Sequence, residues 1–134
     1  MIDKKSIDQN SRYEFKMLNT YIEKSSTISI SSTVSNDSVI GAKTQIDGNC
    51  NITKSCIGAN CKIGKNVEIT NSIIDCNVTI GDNVKITDAI IQSHSKLNEG
   101  CVISKGSILT ENVIVKQGVT IPEASVCSLL TFDS

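Results

Sequence analysis

His94 is the single histidine of the chain, and an imidazole is the side chain best suited to general acid–base work near neutral pH. It falls three residues after Ile91 in a phrase that reads as a turn, where a solvent-facing role is the plain alternative. Six cysteines, Cys50, Cys56, Cys61, Cys76, Cys101 and Cys127, raise the question of thiol or metal chemistry. No CxxC pair occurs, and one histidine with no cysteine pair at ligand spacing makes a poor zinc set. A thiol nucleophile needs a base or a cation beside it to lower its pKa, and the sequence shows none. Asp47, Asp75, Asp82 and Asp88 fall at or beside turns, where capping of backbone amides explains them. IGKN at 63–66 and IGDN at 80–83 look like phosphate loops, yet they recur at regular spacing and precede no helix. The expectation is therefore no catalytic residue, no cofactor and no metal.

A length of 134 residues sets one domain. The formal charge of -1, with lysine and glutamate interspersed, argues against nucleic acid or an acidic lipid surface, since either needs clustered basic residues. Nothing near Met1 has the pattern of a signal peptide, and no stretch approaches the roughly 20 apolar residues of a membrane span. A soluble intracellular chain with reduced cysteines and protein partners is expected.

What would position any such residue is a repeat. Large aliphatics recur at Ile22, Ile28, Val34, Ile40, Ile46 and Ile52, then Ile57, Ile63 and Ile69, then Ile74, Ile80 and Ile86, then Ile91, Leu97 and Ile103, then Leu109, Val115 and Ile121. Two residues before each later station sits a small side chain, in a column from Ser26, Ser32, Ser38, Thr44 and Cys50 through Cys61, Val67 and Cys101 to Val119 and Ser125. Two inward residues separated by one outward residue is the strand period, and six residues per leg leave room for a short strand and a corner. Asn49, Asn60, Asn66, Asn77, Asn83, Gly100, Gly106, Asn112 and Gly118 stand three residues after stations, and these types best tolerate positive φ. Three legs close one triangular coil. Legs shortened by one residue at Ile52–Ile57, Ile69–Ile74 and Ile86–Ile91 make the coil alternate between 17 and 18 residues. The fold expected is all-β, a single-stranded parallel β-helix of about six coils over residues 21–127. Residues 1–20 are a linker or a segment docked on the first coil, and residues 128–134 a cap or tail, with Leu129, Leu130 and Phe132 available to fold over the open top, where exposed strand edges invite pairing.

The hexapeptide pattern in IGANCK (57–62), IGKNVE (63–68) and IGDNVK (80–85) resembles the left-handed β-helix family, whereas the general rule for parallel crossovers favours the right hand. The left hand is expected on the resemblance. Over most of residues 20–130, NDSVIGAKTQI (36–46), NCNITKSCIGANCKIGKNVEI (49–69), TNSIIDCNVTIGDNVKITDAII (70–91) and GSILTENVIVKQGVTIPEASVCSLL (106–130) resemble the epsilon subunit of the guanine-nucleotide exchange factor for eukaryotic translation initiation factor two. The resemblance implies a cytoplasmic assembly in which this domain pairs with a gamma-like β-helical subunit, and a parent protein whose exchange activity lies in a helical domain outside this segment. It carries no catalytic residue over to this chain.

The alternatives are a homotrimeric hexapeptide-repeat acyltransferase, the oligomerisation domain of a sugar-nucleotide pyrophosphorylase, or a stand-alone β-helical scaffold such as those of dynactin. Hexapeptide acyltransferases use a histidine base and throw out a substrate loop. Here every leg has five or six residues and His94 sits in a turn. Carbonic anhydrases of this fold need three zinc histidines. One surface feature remains: the residues just before the first station of each coil, Tyr21, Val39, Cys56, Ile73, Ile90, Ile108 and Val126, form an outward apolar column. The equivalent positions elsewhere are mostly polar, with Gln45, Lys62, Thr79 and Lys96 on one face and Thr33, Asn51, Glu68 and Lys85 on the other. This column is the candidate protein interface, with self-association of the isolated domain as another use of it and a fold-back of residues 1–20 as the bland one.

Overall fold

A computed structural model describes residues 13–16, 20–35, 37–127 and 131–132. Strands of two to four residues follow one another around three corners, and strands one coil apart pair in parallel. Three sheets of eight, seven and six strands result, one on each face of a prism. The first face runs upward from Thr20–Glu23 through Val39–Ile40, Cys56–Ile57, Ile73–Ile74, Ile90–Ile91 and Ile108–Leu109 to Val126–Cys127. The second runs from Thr27–Ile28 to Thr131–Phe132, and the third from Thr33–Ser35 to Thr120–Ile121. The predicted stations pair with one another, as in Ile46↔Ile63, Ile63↔Ile80 and Ile80↔Leu97. From Ile40 upward they are buried and form one continuous core with the small column.

The sequence-based expectation of alternating coil lengths is corrected by the pairing. Ile40 pairs with Ile57, Ile57 with Ile74 and Ile74 with Ile91, three consecutive steps of 17 residues. The steps from Ile22 to Ile40, from Ile91 to Leu109 and from Leu109 to Cys127 are of 18. The short legs are stacked on one another, at the corner leading into the first face.

All nine predicted corner residues have positive φ. So do His94 and, with no special tolerance for that region, Lys43, Lys54 and Ala124, because from the second coil upward the turn needs a left-handed residue at the corner whatever its side chain. The small column does more than avoid crowding. Ser55 Oγ donates to Thr53 O at 2.8 Å and accepts the amide of Ser72 at 3.1 Å, and Ser72 Oγ repeats the pattern with Thr70 O at 2.8 Å and the Ala89 amide at 3.1 Å. Each of these two hydroxyls thus bridges two coils and is itself satisfied as both donor and acceptor.

The two ends differ. At the top Ile121 is 1% exposed and Cys127 2%, and Thr131–Phe132 extends the second sheet beyond Ile114–Val115. Leu129 and Leu130 lie outside the described residues. At the bottom Ile22, Ile28 and Val34 are only half-buried. Tyr13–Lys16 pairs antiparallel beneath Thr20–Glu23, extending the edge of the first sheet.

Candidate protein interface

The strand period turns every second residue outward, so the register of the first face aligns its outward residues in one unbroken file: Tyr21↔Val39, Val39↔Cys56, Cys56↔Ile73, Ile73↔Ile90, Ile90↔Ile108 and Ile108↔Val126. Ile73 is 53% exposed and Val126 70%. Val39, Cys56 and Ile90 are exposed as well, while Tyr21 and Ile108 are half-buried. Six interstrand steps make the file about 29 Å long. Tyr13–Lys16 joins this sheet at its lower edge, so these four residues lie in line with the sheet rather than across the outward file.

The other faces present Gln45, Lys62, Thr79 and Lys96, or Thr33, Asn51, Glu68 and Lys85, all exposed. Lys85 Nζ lies 3.9 Å from Glu68 Oε1, both side chains more than half exposed, a pair of small energetic weight in solvent. Two apolar residues depart from the polar pattern near the top, Ile114 on the second face and the half-buried Val102 on the third.

The side chains considered for chemistry are placed apart. His94 is exposed at a corner with φ of 65°, stacked between the corner residues Asn77 and Asn112. Asp82 caps the Lys65 amide at 2.8 Å, and Asp75 the Cys76 amide at 2.7 Å, as turn residues do. Asp88 Oδ1 accepts Asn71 Nδ2 at 2.5 Å across two coils. Burial pushes the thiols of Cys50, Cys61, Cys101 and Cys127 above the ordinary value, the direction away from a reactive thiolate. Among the described residues no three His, Cys, Asp or Glu side chains gather to hold a metal, and no helix is long and apolar enough to cross a membrane.

In three-dimensional shape the chain is similar to a Bacillus cereus protein assigned as an acetyltransferase, with a TM-score of 0.78 at 18% identity over 81% of this chain and 69% of that one. A hexapeptide transferase family protein from Anaplasma phagocytophilum is similar with a TM-score of 0.66 at 12% identity, over 81% of this chain and 69% of that one. A UDP-N-acetylglucosamine acyltransferase from Bacteroides fragilis gives 0.54 at 12% identity, over 84% of this chain and 57% of that one. At these identities the likeness is one of fold. No curated protein matches in sequence. The family model for the EIF2B subunit epsilon LbH domain, a left-handed β-helix, matches residues 17–121.

Proposed function

Because the chain belongs to the family of the EIF2B subunit epsilon LbH domain, we propose that it is a noncatalytic assembly domain of a translation-initiation guanine-nucleotide exchange factor, docking through its first face onto another subunit. The observation that carries the reading is the unbroken apolar file from Tyr21 to Val126 on one face of a prism whose other faces are mainly polar. An apolar strip several hundred Å² in extent is the size that marks an interaction surface. A parallel file of this length is complementary to another regular, elongated surface, and a gamma-like β-helical subunit in the cytoplasm supplies one. Residues 21–127 are the docking body in this reading, with residues 128–134 closing its top.

The acyltransferase alternative draws on the fold neighbours. Against it stand the unbroken succession of five- and six-residue legs and the exposed corner position of His94. The deciding experiment changes Ile73 and Ile90 together to Lys in the full-length protein and identifies co-purifying chains by mass spectrometry. Both side chains face outward, so circular dichroism stays that of the wild type while the partner subunit is lost. Retention of the partner by a folded double variant overturns the assignment of this face. Acetyl transfer from acetyl-coenzyme A that is lost on His94→Ala overturns the noncatalytic reading.

A further inference from the structure

The apolar file of the first face is framed by charge. Three of its rows carry an acid at one corner and a base at the other: Asp37 and Lys43 flank Val39, Asp88 and His94 flank Ile90, and Lys105 and Glu111 flank Ile108, all six exposed. The signs are not segregated to one side. The corner that opens the row is acidic at Val39 and Ile90 and basic at Ile108, and the corner that closes it is the reverse each time. The two rows between carry one charge each, Lys54 before Cys56 and Asp75 after Ile73, opposite the neutral Asn60 and Asn71. An apolar centre inside a charged rim is the anatomy of a protein interface, and here the rim is complementary to itself.

We propose that a second copy of this chain seats on the first face when no other subunit holds it, the two prisms lying parallel about a two-fold axis that runs along them. The inference rests on the reading of this face as a docking surface and adds an occupant to it. A two-fold interface requires a self-complementary patch. Rotation about an axis along the prism keeps each row at its own height and lays the corner that opens a row over the corner that closes it. Asp37 then faces Lys43, Asp88 faces His94 and Lys105 faces Glu111, each pair occurring twice, while Lys54 and Asp75 meet Asn60 and Asn71. No like charges oppose one another in these five rows. The other possible axis, along the strands, reverses the rows about Ile73 and lays each side over itself. It matches Asp37 with Lys105 and Lys54 with Asp88 but sets Asp75 on Asp75 at the centre, and like-charge juxtaposition is costly. A leg of five residues is about 17 Å wide and the file about 29 Å tall, so the two copies together bring roughly 1,000 Å² into contact, the lower bound of a specific interface. The pair is therefore reversible and gives way to a partner that makes more contact.

The test is analytical ultracentrifugation of the full chain over a range of concentrations at low ionic strength, with circular dichroism certifying the fold of each variant. The wild type passes from one chain mass toward two as its concentration rises. Lys105→Glu weakens the association about tenfold, because the reversal acts at two symmetric contacts and rim charges are least screened at low salt. Glu111→Lys added to the same chain restores it, and Ile73→Lys with Ile90→Lys abolishes it. A wild type that stays a single chain at every concentration overturns the proposal and leaves docking onto another subunit standing, since that reading is tested by the co-purifying chains. A mass that approaches three chains overturns the two-fold axis. A dimer that survives the Ile73 and Ile90 changes in a folded chain, or that ignores Lys105→Glu, overturns the proposal by placing the contact elsewhere. Restoration of the Lys105→Glu chain by Asp37→Lys instead of Glu111→Lys overturns the parallel arrangement in favour of the reversed one.

Discussion

Gly58→Ala separates the two reasons for which this fold keeps glycine. A Cβ at Gly58 would lie 2.9 Å from Asp75 C and 2.9 Å from Cys76 N, both backbone atoms of the next coil. Ordinary contact begins near 3.4 Å, so the coils must part by about 0.5 Å. Hydrogen bonds on either side resist this: Gly58 N to Ile74 O at 2.8 Å and Asn77 N to Ala59 O at 2.9 Å, and both would be stretched past the usual 3.2 Å limit. Overpacking of this kind costs about 1–3 kcal/mol, offset by about 0.4–1 kcal/mol from the reduced freedom of the unfolded chain. The middle of these ranges leaves a loss of roughly 1.3 kcal/mol. With an unfolding entropy of about 2.1 cal/mol/K per residue, the chain has about 0.28 kcal/mol/K, and the melting point falls by about 5 °C. Gly118 is the control, because its Cβ would meet nothing within 4 Å but its φ is +76°. Gly118→Asn should be nearly neutral, since Asn49, Asn66 and Asn83 hold positive φ lower in the same corner column. Thermal melts followed by circular dichroism measure both. A Gly58→Ala melting point at or above the wild type, beside a damaged Gly118→Asn, refutes the claim that close backbone approach fixes the coil spacing.

Ile63→Asp or Ile80→Asp buries an unpaired carboxylate among stations 2% exposed and should abolish the β-type circular dichroism; a soluble variant with wild-type melting would mean that the inward register is wrong. Melting should fall as pH rises from 8 to 10, because the unfolded thiols ionise near the ordinary value of 9.0 while burial keeps those of Cys50, Cys61, Cys101 and Cys127 protonated in the fold. The unfolded state then binds fewer protons and stability declines with pH, and Cys61→Ala should make that decline shallower. Chelator should leave the melting point unchanged, whereas a drop of about ten degrees in EDTA would reveal a structural metal.

The stations, the small column and the nine corner residues were readable because each obeys a one-dimensional period that the coil maps directly onto inside, outside and turn. Lys43, Lys54 and Ala124 were not readable as left-handed residues, since closure of the coil overrides their own preferences. The bridging role of Ser55 and Ser72 was also hidden: size alone placed them inward, while their hydrogen bonds connect residues two apart in the chain and residues a full coil apart. Hand was not derivable from the crossover rule, which rests on twisted strands joined by helical crossovers. Two-residue strands turned at left-handed corners escape its premise. The candidate interface followed from the period of two, but the difference in burial between Ile121 and Cys127 at one end and Ile22, Ile28 and Val34 at the other was not legible in the repeat.

The regular parallel register also makes the domain a ruler. The described chain starts beneath the first face, at Tyr13, and finishes above the second, at Thr131–Phe132. Along the second face the seven strands from Thr27–Ile28 to Thr131–Phe132 span six steps, about 29 Å. Whatever is joined below and above is held at that separation by a stiff body instead of wandering as it would on a flexible tether. Duplicating or deleting one coil would lengthen or shorten the gauge by a single graduation of about 4.8 Å, and the three faces would keep their compass bearings.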